Sequence, residues 1–147
     1  MRIDRAAIRD LIPHSGAMCL LDEVATCDAA GIRCIASSHR DPDNPLRRAG
    51  RLGALCGIEY AAQAMALHGA VTHACGSRAR AGLLASVREV VCAVDFLDDR
   101  GPELEIEAQP LLVEGARMIY AFRLRDGAVE LLRGRAAVVL EAPAGAV

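Results

Sequence analysis

Glu59 is a lone carboxylate within an apolar stretch, Gly53-Ala-Leu-Cys-Gly-Ile-Glu-Tyr-Ala-Ala-Gln-Ala-Met-Ala-Leu-His-Gly69. The Ala, Leu and Met content predicts a helix, and its apolar character nearly all round places that helix in an interior. Gln63 stands at i+4, so its amide projects from the same face, one turn on. An unpaired, ionised carboxylate there would be costly, so Glu59 must be protonated, paired or placed at a cavity. A carboxyl kept protonated in such surroundings can hand its proton to a leaving group. The plainer alternatives are a core carboxylate satisfied by an Arg or a backbone donor, and a Gln63 that merely orders its neighbour.

The elements around this helix are short and mostly extended. Asp4 to Leu11 reads as an amphipathic helix capped by Asp4 and closed off by Pro13. Cys19 to Cys27 and Ile32 to Ser38 read as strands joined around Asp28-Ala-Ala-Gly31. Pro42, Asn44, Pro45 and Gly50 make Asp41 to Gly50 a loop, and Thr72 to Arg80 is a polar connection. Leu83 to Asp95, Leu104 to Glu114, Met118 to Leu124 and Val129 to Glu141 follow as four strands. Asp126-Gly127 is expected as the two-residue turn between the last two, and Ala142 to Val147 as a frayed tail. Two strands, one long apolar helix and four further strands suggest an α+β hot-dog fold, a long central helix wrapped by a curved antiparallel β-sheet; a β-sandwich is the main competitor but would leave the apolar helix without a home. Such a sheet leaves an edge that a second subunit can cover. The chain, 1–147, reads as one domain without repeat or linker.

Composition narrows the function classes. A net charge of -2, a pI near 6.1 and 3% aromatic residues speak against nucleic-acid binding. The charged N-terminus has no signal-peptide core, and no run reaches the roughly 18 to 20 apolar residues of a membrane span. A cytoplasmic location is therefore expected. The cysteines, Cys19, Cys27, Cys34, Cys56, Cys75 and Cys92, form no Cys-x-x-Cys pair and have no His at ligand spacing. They read as reduced, mostly buried small hydrophobes, and no metal site is expected.

Two blocks carry a resemblance. Leu11-Ile-Pro-His-Ser-Gly-Ala-Met-Cys-Leu-Leu-Asp-Glu-Val24 resembles the N-terminal signature of β-hydroxyacyl-[acyl carrier protein] dehydratases. That signature runs Leu-Leu-Pro-His-Arg-x-Pro-Met-Leu-Leu-Val-Asp-Arg-Val. Gly57-Ile-Glu-Tyr-Ala-Ala-Gln63 resembles the same family's catalytic helix, Glu-Ala-x-Ala-Gln. The pair is most similar to the divergent dehydratases of aryl-polyene gene clusters, with Pro-His-x-Gly-x-Met and Gly-Ile-Glu-Tyr-x-Ala-Gln. The rest of the chain matches in pattern only.

The resemblance implies dehydration of a 3-hydroxyacyl thioester on an acyl carrier protein. A base takes a proton from C2, an acid protonates the departing hydroxyl at C3, and no cofactor is required. Glu59 would be the acid, oriented by Gln63, while Gly57 or the N–H groups around Ala54 could meet the thioester carbonyl. Typical members place a second catalytic group, the His of Gly-His-Phe-Pro, before the helix and in the other subunit's site. Here Asn44-Pro-Leu-Arg-Arg-Ala-Gly-Arg-Leu-Gly53 occupies that place without a His. The base could come from a dehydratase-type partner in a mixed dimer, or from His14 or His39. With neither, the protein would be the non-catalytic half of a dimer. His39 is otherwise expected to face solvent, and His68 and His73 to favour the helix dipole. Arg47, Arg48 and Arg51 cluster before the helix and could dock an acidic carrier protein, or simply be solvated. A hot-dog thioesterase, using a carboxylate on this helix with water, is the other enzymatic reading.

Overall fold

The alternating segments form a six-stranded antiparallel sheet in the computed structural model, which describes residues 2–12, 14, 16–72 and 82–140. The strands are β1 (Glu23–Asp28), β2 (Gly31–Ala36), β3 (Gly82–Cys92), β4 (Leu104–Glu114), β5 (Arg117–Asp126) and β6 (Val129–Leu140). Their spatial order is β1-β2-β4-β5-β6-β3. Two α-helices, α1 (Arg5–Leu11) and α2 (Gly57–Thr72), complete the layer arrangement, with α2 on the sheet's inner face. This is the expected hot-dog fold.

Register explains which side chains meet α2. Ile106, Leu124 and Leu132 pair across β4, β5 and β6, as do Ala108, Phe122 and Gly134 in the next inward row. All of these are buried. The intervening row, Glu107, Arg123 and Arg133, faces outward, because successive side chains alternate faces. At the start of α2, a Cβ on Gly57 would sit 2.7 Å from Leu132 Cδ2 and 2.9 Å from Leu124 Cδ2. A glycine there lets the helix approach the sheet closely.

The ends of the elements follow local chemistry. Asp4 caps α1, its Oδ1 accepting from Ala7 N at 3.0 Å. Asp28 Oδ1 accepts from Ala30 N and Gly31 N, closing the β1–β2 turn. The β5–β6 turn lies one residue later than expected: Asp126 pairs with Val129, leaving Gly127-Ala128 as the loop. Gly127 has φ +59°, so the left-handed residue opens the turn rather than closing it. The two sheet edges differ. Ile3 bridges Val24 on β1, whereas β3 ends the sheet at the other side and exposes Leu84 and Val91.

Among the cysteines, Cys19 and Cys34 are buried, Cys27 and Cys56 half-buried, and Cys92 exposed; all five are free. Burial pushes the Cys34 thiol up to about 12, so it stays protonated. The expectations for Cys75, His73, most of the polar connection and the tail fall outside the described residues.

Candidate active site

Glu59 lies in the first turn of α2, on the helix face turned away from the sheet. Residues 57, 60, 61, 63, 64, 65, 67, 68 and 70 are buried, whereas Ile58, Glu59, Ala62, Ala66 and Gly69 are only partly so. An apolar strip with one carboxylate thus remains open beside the core. Glu59 Oε1 stands 2.9 Å from His14 Nε2, with side-chain exposures of 33% and 25%. Of the two local histidines named from sequence, the fold brings His14 to the carboxylate. His14 spends Nε2 on Glu59, while its Nδ1 is buried and has no hydrogen-bond partner among the described residues.

Gln63 is fully buried and holds the segment after His14 against the helix. Its Oε1 accepts from Leu20 N at 3.0 Å, and its Nε2 donates to Met18 O at 2.6 Å and to Glu59 Oε1 at 3.3 Å. One amide therefore fastens a chain segment and orients the carboxylate. The hydrogen bond from His14 holds the Glu59 carboxyl below its ordinary range; burial opposes it, and Gln63 and the nearby imidazole charge assist. The apolar helix suggested a protonated acid, but the paired alternative is what forms. A donor 2.9 Å away outweighs partial burial.

Other sequence expectations change with the geometry. Ala54 N donates to Asp95 O at 2.9 Å, and Gly57 N is bonded to Ala54 O. Neither N–H is free to receive a carbonyl, because Asp95 takes the first and the turn entering α2 the second. His39 is fully buried rather than solvent-facing, its Nε2 bonded to Gly101 O at 2.7 Å; desolvation lowers its pKa and keeps it neutral. His68 is also buried, with Nδ1 2.8 Å from Tyr120 Oη and Nε2 2.8 Å from Asp28 O. It ties the end of α2 to β1 and β5 as well as lying near the helix dipole.

The arginine cluster divides. Arg47 donates to Gly50 O at 2.7 Å and to His39 O at 3.1 Å. Arg51 bonds Asp98 at 3.0 Å and lies 3.8 Å over the Phe96 ring. Arg48, exposed in the tight turn closed by Arg48 N and Arg51 O at 2.8 Å, has no ion pair among the described residues. A depression of about 410 Å³ on the outer face of the sheet is lined by Glu107, Arg123, Arg133 and Arg135, across the sheet from α2. No group of three metal-ligating side chains occurs among the described residues, and no helix there is long and apolar enough to cross a membrane.

Sequence reasoning passed over Ser38, Asn44 and the phenol of Tyr60. Tyr60 is fully buried, with Oη 2.8 Å from Ser38 Oγ and 3.1 Å from Asn44 Nδ2. The available signal was the hydroxyl itself, since a buried phenol normally finds a polar partner.

Residues 6–144 match the family model described as "ApeP-like: ApeP dehydratase". No curated protein matches the chain. Among solved structures, the dehydratase heterocomplex ApeI:P from Xenorhabdus doucetiae is similar, with 23% identity and a TM-score of 0.81 over 92% of this chain and 91% of that one. Cj0977, a sigma28-regulated virulence protein from Campylobacter jejuni, has 14% identity and a TM-score of 0.61 over 92% and 95%. A thioesterase family protein from Silicibacter pomeroyi has 12% identity and a TM-score of 0.56 over 79% and 81%. At these identities the structures speak for the fold.

Proposed function

The chain belongs to the ApeP-like dehydratase family, and on that footing we propose that it removes water from 3-hydroxyacyl groups held as thioesters on an acyl carrier protein. The observation that carries this reading is the Glu59–His14 pair at 2.9 Å, a third exposed beside an apolar helix face. Because His14 holds the Glu59 carboxyl below its ordinary range, it must first take a proton; as the C3–O bond breaks it passes that proton to the departing hydroxyl, which leaves as water. The C2 proton goes to a base, and its C–H electron pair becomes the C2–C3 double bond. Glu59, a third exposed, takes its next proton from water, and the base gives up the C2 proton to water, so the site ends each turnover as it began.

Because His14 spends one nitrogen on Glu59 and buries the other, it serves the acid rather than acting as the base. The base then belongs to a partner subunit. Two observations support a partner. The similar structure from Xenorhabdus doucetiae is titled a dehydratase heterocomplex. Strand β3, eleven residues long, ends the sheet with exposed Leu84 and Val91, and an uncovered edge of that length invites strand pairing. A homodimer would cover the edge equally but would bring no His of the usual loop. Arg48, free of ion pairs among the described residues, is the arginine best placed to meet an acidic carrier protein. The reaction fits polyene or fatty-acid-like synthesis in the cytoplasm and requires proton transfer alone.

One observation favours a second reading. A carboxylate held ionised is also the form that would activate water, as in thioester hydrolysis. The test is the complex purified with its native partner, given a 3-hydroxyacyl carrier protein and followed by mass spectrometry. Loss of one water, reduced by about 10²-fold or more in Glu59→Gln, is the expected result. Release of free acid would replace dehydration with hydrolysis. Full dehydration by Glu59→Gln would make this chain a structural subunit and end the proposal.

A further inference from the structure

Tyr60 follows Glu59 on α2, its side chain turned about 100° around the helix into the core. Its hydroxyl belongs to a chain of hydrogen bonds whose polarity can be assigned throughout. Asn44 Nδ2 donates to Ser38 O at 2.9 Å and to Tyr60 Oη at 3.1 Å, while Asn44 Oδ1 accepts from Leu46 N at 2.9 Å. Ser38 Oγ donates to Leu20 O at 2.8 Å. Ser38 therefore accepts from Tyr60, whose O–H points to it at 2.8 Å.

Leu20 is thus gripped at both polar groups of its backbone. Its carbonyl is held by Ser38 and, through it, by Tyr60; its N–H is held by Gln63. Both grips end on α2, at Tyr60 and Gln63, one and four residues after Glu59. From Leu20 the chain runs back through a 3-10 turn, Gly16–Met18, closed by Cys19 N to Gly16 O at 3.1 Å, to His14. His14 lies two residues before that bonded turn and sets its imidazole on the carboxylate.

We propose that Tyr60 and Ser38 are positioning residues for the Glu59–His14 pair: they set the height of the Met18–Leu20 segment on α2 and so the distance from His14 to Glu59. The proposal rests on the site reading above for its kinetic consequence, but not for its structural one. Asn44 extends the same grip to the loop that carries Arg47 and Arg48, so that loop, helix and N-terminal segment are registered together.

The test uses Tyr60→Phe and Ser38→Ala, each removing one hydroxyl, with Tyr120→Phe as control. Tyr120 is equally buried and its hydroxyl is bonded at 2.8 Å, but to His68. The titration of the Glu59 carboxyl is followed by carbon NMR in the folded chain, and turnover is measured in the complex with its partner. Expected for Tyr60→Phe and Ser38→Ala are an upward shift of the Glu59 titration towards its ordinary value and a fall in kcat of about tenfold at little-changed KM. The double variant is expected to lose no more than either alone, because both cut one path. Tyr120→Phe should leave the Glu59 titration where it is. An unmoved Glu59 titration in both test variants overturns the proposal, as does an equal shift in the control. A shifted titration with unchanged turnover supports the positioning while removing Glu59 from the chemistry, which separates this inference from the functional one.

Discussion

Replacing Gln63 by Leu keeps the volume of a buried side chain and deletes three hydrogen bonds. The partners stay behind. Leu20 is fully buried, so its N–H loses its 3.0 Å acceptor with no water to replace it. An orphaned buried donor costs about 1–3 kcal/mol. Met18 O loses a 2.6 Å bond in a half-buried setting, for about another 1 kcal/mol. The bond to Glu59, at 3.3 Å on a carboxylate a third exposed, is readily exchanged for water and adds little. Removing the polar amide from the core returns part of this sum, about 1 kcal/mol, leaving a net loss of about 1–3 kcal/mol. For a chain of this length each kcal/mol moves Tm by about 2–4 °C, so the variant should melt about 2–12 °C lower. Calorimetry and urea unfolding measure the loss, and amide exchange at Leu20 should quicken beyond the global change. A loss under about 0.5 kcal/mol, the range of ordinary surface substitutions, would refute the clamp.

Two further outcomes follow from the same geometry. Gly57→Ala puts a methyl within 3 Å of Leu124 and Leu132, both fully buried; overpacking costs about 1–3 kcal/mol and the helix preference of Ala returns at most about 1. A Tm lower by a few degrees is expected, and a variant more stable than the parent would show that the two leucines simply move aside. Glu59 has its carboxyl held below the ordinary range by His14. The stability from that pair is therefore present above the unfolded carboxyl's pKa and fades as pH falls through the lower folded value. His14→Ala should cost up to about 1 kcal/mol at pH 6, given solvent screening of a partly exposed pair, and progressively less towards pH 3. A gap between parent and variant that stays constant over this range would contradict the assignment.

What could be read in advance was what local pattern controls. The period of α2 placed Glu59 and Gln63 on neighbouring turns, and Gln63 indeed reaches Glu59. Period-two alternation, Leu-Glu-Ile-Glu, sets Leu104 and Ile106 on one face of β4, and both are buried. The β5–β6 turn was missed by one residue because a two-residue loop can place its glycine first or second, and cross-strand pairing makes the choice. His39 was misjudged for a related reason: its burial depends on Gly101, which belongs to a segment far along the chain. The same holds for the N–H groups of Ala54 and Gly57, whose partners at Asp95 and in the entering turn leave no periodic trace.

His14 is the instructive case, because its type and motif were evident while its task was not. A histidine near a carboxylate can be its base, its donor or neither, and only the disposition of both ring nitrogens decides. With Nε2 on Glu59 and Nδ1 buried, the ring is turned to the acid. On the proposed mechanism that disposition divides the chemistry: Glu59 is the acid, and the group that takes the C2 proton belongs to a partner. The division also gives the bare β3 edge a functional meaning. A strand added there would extend the sheet, and the subunit bringing it would complete a site that one copy of this fold leaves half built.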